Sequence, residues 1–367
     1  MKARRRRHCL ALFGNLILCY NEGTCSLIER RFWSHASRLA FAAGGGFGTT
    51  PSGSKPKNKS KSPPGNNKKR ILHEPPVLHP ESIDLSNPQA RMHHVEYCIQ
   101  RADVSSMTTG TKDSTDPNSI CCVDNFLGPQ LISAMRSEAE SLLTLTETMN
   151  AGVARMVPSQ STRWDEPTQS VVAYEKVGVL STQIEGGPEG YAKTPCLVEY
   201  IVTLTKHLSE KINAVVQLPE YRLSGNQQTN KLAVCLGGGS KYDKHIDNLG
   251  HDGVGPEGDR RKMTALLYLQ PSGSHADDAD EGENDPRGGY FRAYDVPDEG
   301  QVKVIAPRGD RLVLFWSDSL VHDVSPSFAP NGDSDRRWAL TVWFVTDEGG
   351  TIRATDSQVA QRHFGLG

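Results

Sequence analysis

Apolar residues recur at two spacings along this chain, and each spacing predicts a different kind of element. Between two prolines, at 195 and 219, an apolar stripe at helical spacing predicts an amphipathic helix, formed by Leu197, Ile201, Leu204, Leu208, Ile212 and Val215. An earlier stripe predicts another helix over residues 128–146, on Leu131, Met135, Ala139 and Leu142. A short strand over residues 119–127 is expected to lead into that first helix.

After Pro219 the pattern changes to short β-branched and aromatic runs, separated by Gly, Pro, Asn and Asp. These runs predict strands over residues 231–237, 241–247, 262–270, 288–296, 301–307, 311–317 and 336–345. Helices followed by many short strands are typical of an α+β, mainly β protein. We therefore predict a double-stranded β-helix, or jelly roll, with its core at about 220–348 and N-terminal helices behind it.

Charge and composition divide the chain into three parts. Residues 1–70 carry 15 Lys and Arg against only Glu22 and Glu29, so the overall net charge of −2 conceals a basic tail on an acidic body. Residues 1–50, Arg-rich and poor in acids, predict a targeting segment for a mitochondrion or plastid. A secretory signal, or a plain disordered arm on a cytoplasmic or nuclear protein, is the alternative. Residues 51–118 predict a disordered linker and 119–367 the folded domain.

Several function classes are disfavoured by the same composition. The apolar run near the N-terminus is too short to span a bilayer, so we expect no membrane span. The basic run lacks interleaved aromatic residues for stacking on bases, so we expect no nucleic-acid partner. The cysteines form no CxxC pair, which favours buried reduced thiols. The acidic insert at 275–286 predicts a solvated loop.

His245 and Asp247 are the first candidates for chemistry. Residues two apart in a strand point to the same face, so the imidazole and the carboxylate would lie side by side. About one such His-x-acid triplet is expected by chance in a chain with this composition. A hydrogen-bonded strand pair is therefore the simpler interpretation of this motif taken alone.

A third residue, His322, raises the odds of a metal site. It follows a nearly continuous apolar run, 311–317, that predicts a buried strand. Two histidines and one carboxylate form the facial triad of non-haem Fe(II) oxygenases, which leaves coordination positions open for a co-substrate and dioxygen.

A cation suited to a carboxylate lies in the last predicted strand. Alternation there puts Arg337, Ala339, Thr341 and Trp343 on one face, with Arg336 on the other. An arginine inside a barrel is costly unless an anion meets it, and a guanidinium grips a carboxylate with two parallel hydrogen bonds. A surface charge at the end of a strand is the alternative for either arginine.

From about residue 231 to 345 the chain resembles the prolyl 4-hydroxylase branch of the Fe(II)/2-oxoglutarate-dependent dioxygenases, and most of all the hypoxia-inducible-factor type of prolyl hydroxylase. The motifs that carry the resemblance are YDKHIDN (242–248), MTALLYLQ (263–270), GGYFRAY (288–294), DRLVLFWSDSLVHDVSP (310–326) and RWALTVWF (337–344). The resemblance implies a jelly-roll oxygenase domain that uses Fe(II), the co-substrate 2-oxoglutarate and dioxygen, with ascorbate as reductant.

The resemblance also assigns roles to single residues. It makes His245, Asp247 and His322 the iron ligands and Arg337 the anchor of 2-oxoglutarate. It further places three residues around the co-substrate: Tyr268 at the same carboxylate, Thr341 in the pocket lining and Leu266 as an apolar wall. Ordinary barrel core is the alternative for Tyr268 and Leu266.

The chain departs from the family pattern at three places. Leu236 follows Cys235 where the family often has a tyrosine that helps to hold the 2-oxo acid. The loop at 323–336 is longer than usual, and the acidic insert at 275–286 is extra. We expect the substrate rim to include 323–336 and the segment 159–185.

These observations predict hydroxylation of a protein substrate, most simply peptidyl-proline 4-hydroxylation with release of succinate and CO2. Hydroxylation of a small molecule or of a non-proline side chain is the second reading, because a fold does not fix a substrate. A non-catalytic jelly-roll binding module is the third, and the complete triad with Arg337 speaks against it.

Overall fold

The computed structural model describes residues 82–108, 119–147, 156–165, 170–250, 258–271, 285–294, 302–347 and 350–353. The predicted targeting segment (1–50), residues 51–81 and 109–118 of the predicted linker, and most of the acidic insert at 275–286 lie outside these ranges. In the described part of the chain, no helix is long and apolar enough to cross a membrane.

The described residues form four α-helices and eleven strands, joined by three short 3₁₀ helices. The helices are α1 (Pro88–Arg101), α2 (Pro129–Glu147), α3 (Pro188–Lys193) and α4 (Pro195–Val215). The strands are β1 (Ile120–Val123), β2 (Val157–Asp165), β3 (Ser170–Thr182), β4 (Leu223–Cys235), β5 (Ser240–His245), β6 (Arg261–Tyr268), β7 (Phe291–Tyr294), β8 (Val302–Ile305), β9 (Leu312–Trp316), β10 (Val321–Ser327) and β11 (Arg337–Thr346). The 3₁₀ helices are Ser105–Met107, Pro219–Tyr221 and Gly332–Asp335.

The strands form two antiparallel sheets, as the jelly-roll prediction requires. The larger has the order β1-β9-β6-β11-β4-β3-β2 and the smaller the order β5-β10-β7-β8. Apolar side chains of both sheets meet in one cluster between them, made by Leu266, Tyr268, Phe291, Ala293, Ile305, Val313, Phe315, Leu320 and Ala339. The predicted fold class is therefore confirmed.

The helices cover the other face of the larger sheet, and β11 shows how its sequence serves both faces. Trp338, Leu340, Val342 and Phe344 belong to a second core together with the apolar stripe of α4. Ala339, between them, belongs to the cluster between the sheets. Side chains of a strand alternate between its faces, so this strand buries large residues against helices on one side and leaves room on the other.

Helix α1 corrects the predicted extent of the disordered linker. Asn87 caps the helix by accepting hydrogen bonds from two backbone N–H groups, and Pro88 occupies the first turn, where its missing N–H costs nothing. Val95, Cys98 and Ile99 are buried in the helix-side core. The folded part of the chain therefore begins well before Ser119. Three apolar residues in a polar helix were too weak a pattern to predict it.

Both segments predicted for the substrate rim contain regular structure. The 159–185 segment is mostly the hairpin of β2 and β3, which extends the larger sheet next to β4. The 323–336 loop begins inside β10 and includes the 3₁₀ helix Gly332–Asp335. Strands β2 and β10 are rich in polar residues and contain Pro158 and Pro326, so they lack the apolar runs from which the other strands were predicted. Strand β3 has an apolar run at 171–174 that was not interpreted as a strand.

Candidate active site

The three predicted ligands come together at one end of the space between the sheets. His245 ends β5, and Asp247 follows two residues later. His322 lies on β10, directly opposite His245 in the strand register. One possible ligand atom from each residue lies within 4.8 Å of the other two. The Asp247 Oδ1 atom is 3.5 Å from Nε2 of His245 and 3.9 Å from Nε2 of His322.

Backbone carbonyls fix the tautomer of both histidines. Nδ1 of His245 lies 2.8 Å from the carbonyl oxygen of Asp243, and Nδ1 of His322 lies 3.0 Å from that of Leu320. A carbonyl can only accept, so each Nδ1 carries a proton and each Nε2 is the ring atom left to bind a metal. Burial, followed by the neighbouring His245, lowers the pKa of His322 to about 4. At neutral pH His322 is therefore an uncharged ligand.

The second oxygen of Asp247 is held by side chains of the larger sheet. Thr264 Oγ1 donates to Oδ2 over 2.7 Å, and Trp343 Nε1 donates to the same atom over 3.0 Å. Since the Thr264 proton is used there, its oxygen accepts from Ser317 Oγ at 2.8 Å. Burial raises the pKa of Asp247, but its contacts with His245, His322 and Thr264 outweigh burial and hold the pKa well below its usual range.

Aromatic rings close one side of the triad. Phe291 stacks on the His322 ring with centroids 5.0 Å apart, and Phe315 meets the same ring edge-on at 4.8 Å. The side chain of His322 is 6% exposed and that of His245 is 28% exposed. The triad is therefore open to solvent on the His245 side and shielded on the β7 and β9 side.

Arg337 lies deeper between the sheets and has no acidic partner among the described residues. It is buried, and its Nη2 donates to the Tyr268 hydroxyl over 3.3 Å. Its Nη1 lies 3.9 Å from the Cys235 sulfur, and its Nε has no hydrogen-bond partner. A buried guanidinium without a carboxylate is costly, so this geometry indicates a site for an anion from outside the protein.

Arg336 occupies a different environment. It is partly exposed and pairs with Asp333 over 2.7 Å, outside the barrel. The structure therefore selects Arg337 over Arg336 as the inward-facing residue, as the predicted register requires.

A glycine makes room for the arginine. A Cβ atom on Gly289 would lie 2.8 Å from Cδ of Arg337, and the positive φ of +73° at this residue disfavours any side chain. The GG pair at the start of the GGYFRAY motif thus allows the guanidinium chain to pass close to the backbone of the smaller sheet.

The other predicted pocket residues, Tyr268, Thr341 and Leu266, face the space between the two sheets. Thr341 is paired with Leu266 across β11 and β6, and Ala339 is paired with Tyr268, so all four face the space between the sheets. Leu266 and Tyr268 also belong to the apolar cluster there, so the barrel-core reading of these two residues is compatible with their pocket position. Their contact with a co-substrate stays a prediction.

Sequence reasoning missed several residues that belong to this site. Alternation had put Trp343 on the face of Arg337 without giving it a role, and Thr264, on the face of Tyr268, could have been found in the same way. Two lysines also belong to this site: Lys176 on β3 is buried, Lys231 on β4 is partly buried, and the charge of Asp247 acts on the pKa of both. No motif announces them, because hairpin β2–β3 brings Lys176 in from a distant part of the chain.

The sequence of the segment that carries this site identifies its class. Residues 231–345 match the sequence model of the 2OG-Fe(II) oxygenase superfamily. This part of the chain is a 2OG-Fe(II) oxygenase domain. It runs from β4 to β11 and contains His245, Asp247, His322 and Arg337.

Relatives of the oxygenase domain extend the match toward the N-terminus. Egl nine homolog 1 of Rattus norvegicus is 27% identical over 227 residues, which cover 61% of this chain and 54% of the relative. A hypoxia-inducible factor prolyl hydroxylase of Caenorhabditis elegans is 30% identical over 164 residues, 43% of this chain and 18% of that protein. The chain thus spans about half the length of the first relative and less of the second.

Solved structures include a Pseudomonas putida prolyl-4-hydroxylase, which is 21% identical and has a TM-score of 0.42. The match covers 62% of this chain and 92% of the chain in that structure.

Membership implies Fe(II) and 2-oxoglutarate as metal and co-substrate of the oxygenase domain, and the residues present fit both. Two imidazoles and one carboxylate converge within bonding reach of a single ion, which is the donor set that Fe(II) takes in such enzymes. The buried Arg337, with an Nε atom that has no partner, suits the carboxylate of 2-oxoglutarate that lies away from the metal.

Proposed function

We propose that the protein catalyses Fe(II)- and 2-oxoglutarate-dependent hydroxylation of a protein substrate, at the 4-position of a prolyl residue. The proposal rests on one observation. The cluster of His245, Asp247 and His322 shares a pocket with Arg337, which is buried and has no acidic partner among the described residues. The three-residue cluster alone, or the buried arginine alone, could have a purely structural role. Together they supply the metal site and the carboxylate site that this chemistry requires.

Each side chain in the pocket has a defined task under this proposal. His245, Asp247 and His322 would hold Fe(II), while Thr264 and Trp343 orient the Asp247 carboxylate through its other oxygen. Bound Fe(II) with 2-oxoglutarate supplies the oxidation of a substrate C–H bond by dioxygen, with succinate and CO2 as products.

The deeper residues would serve the co-substrate. Arg337 and the Tyr268 hydroxyl would bind the distal carboxylate of 2-oxoglutarate, and Leu266 with Thr341 would line its chain. Phe291 and Phe315 keep water from the His322 side of the centre. We also propose ascorbate as the reductant that keeps the iron in its ferrous form.

The choice of proline rests on the name of one relative, a hypoxia-inducible factor prolyl hydroxylase, and on the quoted motifs. The β2–β3 hairpin and the 323–336 segment are the proposed rim for an extended peptide. Hydroxylation of a small molecule or of another side chain is the competing function on the same scaffold.

The test separates the co-substrate reaction from the choice of target. The purified chain is supplied with Fe(II), ascorbate, 2-oxoglutarate and dioxygen, and succinate is measured with and without a library of proline-containing peptides. We expect peptide-stimulated succinate release and 4-hydroxyproline in the peptide by mass spectrometry. Succinate release stimulated only by a metabolite, or an added oxygen on another side chain, would overturn the proline assignment. No succinate under any condition would overturn the oxygenase proposal.

A further inference from the structure

Two lysine side chains enter the active-site pocket without forming an ion pair with any described residue. Lys176, on β3, is 8% exposed, and its ammonium lies over the Tyr242 ring, 3.8 Å from the centroid. Lys231, on β4, is partly buried and lies directly opposite Thr341 in the sheet, on the same face as Leu266. Both therefore belong to the inner wall that carries Arg337 and the predicted co-substrate residues.

Burial and the charge of Asp247 act on the pKa of both lysines, and each lysine also has a cation nearby. Burial, followed by the charge of Lys231, lowers the pKa of Lys176 to about 7, although Asp247 raises it. Burial also lowers the pKa of Lys231, again opposed by Asp247. Two cations in a partly dry pocket disfavour each other, so an additional anion between them would be stabilised.

The anion that the lysines would meet is not required by the cofactors. Fe(II) and Arg337 together balance the charge of Asp247 and the two carboxylates of 2-oxoglutarate, while the histidines are neutral. That set is electrically neutral without Lys176 and Lys231. Lys176 and Lys231 are therefore not needed for this charge balance, and Asp247 is close enough for its charge to raise the pKa of both.

We propose that Lys176 and Lys231 form a second carboxylate-binding site, which recognises an acidic side chain of the substrate close to the residue that is hydroxylated. The inference deepens the proposed function and rests on it, because it specifies the sequence surrounding the target. Lys231 is reachable from solvent, so the site is open to an incoming peptide. Lys176 on the β2–β3 hairpin closes its inner side.

The experiment measures binding rather than turnover. The full chain, loaded with Mn(II) and saturated with 2-oxoglutarate, is titrated by calorimetry with four peptides of equal length. Their central triplets are Asp-Pro-Asp, Asn-Pro-Asn, Asp-Ala-Asp and Asn-Ala-Asn. The Asp and Asn comparison tests the lysine site, and the Pro and Ala comparison tests the proposed target, so one can fail without the other.

The wild-type protein is expected to bind the Asp peptides about tenfold or more tightly than the Asn peptides, as hydrogen bonds to charged groups are among the stronger ones. Lys176→Met and Lys231→Met should each remove most of this preference and change 2-oxoglutarate affinity by less than about twofold. Lys176→Arg should restore part of it. Lys241→Met is the matched control, because Lys241 is exposed, pairs with Asp243, and should leave the preference unchanged.

Three results would overturn the proposal. One is a wild-type protein that binds Asp and Asn peptides equally, or binds none of them. The second is an acidic preference that survives both lysine-to-methionine changes in folded protein. The third is a loss of 2-oxoglutarate affinity in these variants with the peptide preference intact, which would assign the lysines to the co-substrate. Thermal melting of each variant establishes that it is folded, and Lys231→Met provides an independent reading if Lys176→Met is not.

Discussion

Arg337 and Arg336 are neighbours in sequence with opposite surroundings. Alternation in β11 sends Arg337 inward, where it meets Tyr268, and leaves Arg336 outside with Asp333. The sequence could predict this contrast because strand alternation depends only on the parity of positions. The sequence could not predict how closely Gly289 approaches the Arg337 side chain, because that contact joins segments from different sheets.

We predict that Arg337→Ala raises the 2-oxoglutarate concentration for half-maximal activity by about 30-fold or more. Loss of a buried charge-assisted pair costs roughly 2–5 kcal/mol, and about 1.4 kcal/mol is tenfold. The matched control, Arg336→Ala, should change it by less than about threefold, because exposed ion pairs contribute little. The measurement is the 2-oxoglutarate saturation curve of both variants side by side. A larger effect at 336 would contradict the register that places Thr341 in the pocket.

Trp343 offers a test of how the Asp247 carboxylate is held. Trp343→Phe keeps an aromatic ring at this position but removes the indole N–H that donates to Asp247 Oδ2, so we expect Fe(II) affinity to fall about 10–100-fold. Trp338→Phe is the matched control, since Trp338 lies on the same strand, faces the helices, and has no hydrogen-bond partner on its indole nitrogen. Anaerobic metal titration of both proteins decides the matter. Equal affinity in the two variants would show that the indole has no part in orienting the ligand.

At the scale of elements, helix α1 is the feature that could not be predicted from the sequence. Its Arg91 forms a two-pronged ion pair with Glu199 of α4, with both contacts at 2.7 Å and both side chains buried. Arg91 and His94 are polar residues at buried positions. A hydrophobic pattern cannot reveal a helix that docks through charges, because its buried positions look like surface in the sequence.

We predict that a chain starting at residue 82 melts within about 2 °C of the full chain, whereas one starting at Glu96 melts roughly 6 °C or more lower. The shorter chain loses half of α1 and leaves Glu199 without its arginine, which costs about 3–5 kcal/mol for a buried pair. For a domain of this size, each kcal/mol lowers the melting temperature by about 2–4 °C.

Point substitutions separate the ion pair from the lost helix. Arg91→Met in the full chain should reproduce much of the destabilisation, and the exposed Arg101→Met should not. Equal melting temperatures for the chains starting at 82 and 96 would mean that α1 contributes nothing to the stability of the oxygenase domain.

At the scale of the whole molecule, the sequence predicted the part of the fold that buries apolar residues. Most strands of the two sheets, helices α2 and α4, and the grouping of His245, Asp247 and His322 followed from spacing, parity and the family motifs. The β2–β3 hairpin and β10 did not, because many of their buried residues are polar, with Lys176 the clearest case. A polar pocket and a polar surface have the same pattern in sequence, and only the tertiary structure separates them.

The N-terminal basic segment also belongs to this scale. Its organellar destination stays a prediction, and fusion of residues 1–50 to a fluorescent protein would test it. The catalytic proposal does not depend on the result, since the site is built from residues after 170.

The most direct test of the central claim is an anaerobic titration of the apo-protein with Fe(II), followed by 2-oxoglutarate, monitored by visible absorption. Wild-type protein should bind one Fe(II) per chain and develop a charge-transfer band only when 2-oxoglutarate is added. Asp247→Ala should remain folded but lose both the iron and the band. Arg337→Ala should keep the iron and need more 2-oxoglutarate to form the band. Iron binding of wild-type strength in Asp247→Ala, or no band in the wild-type protein, would contradict the assignment of this site.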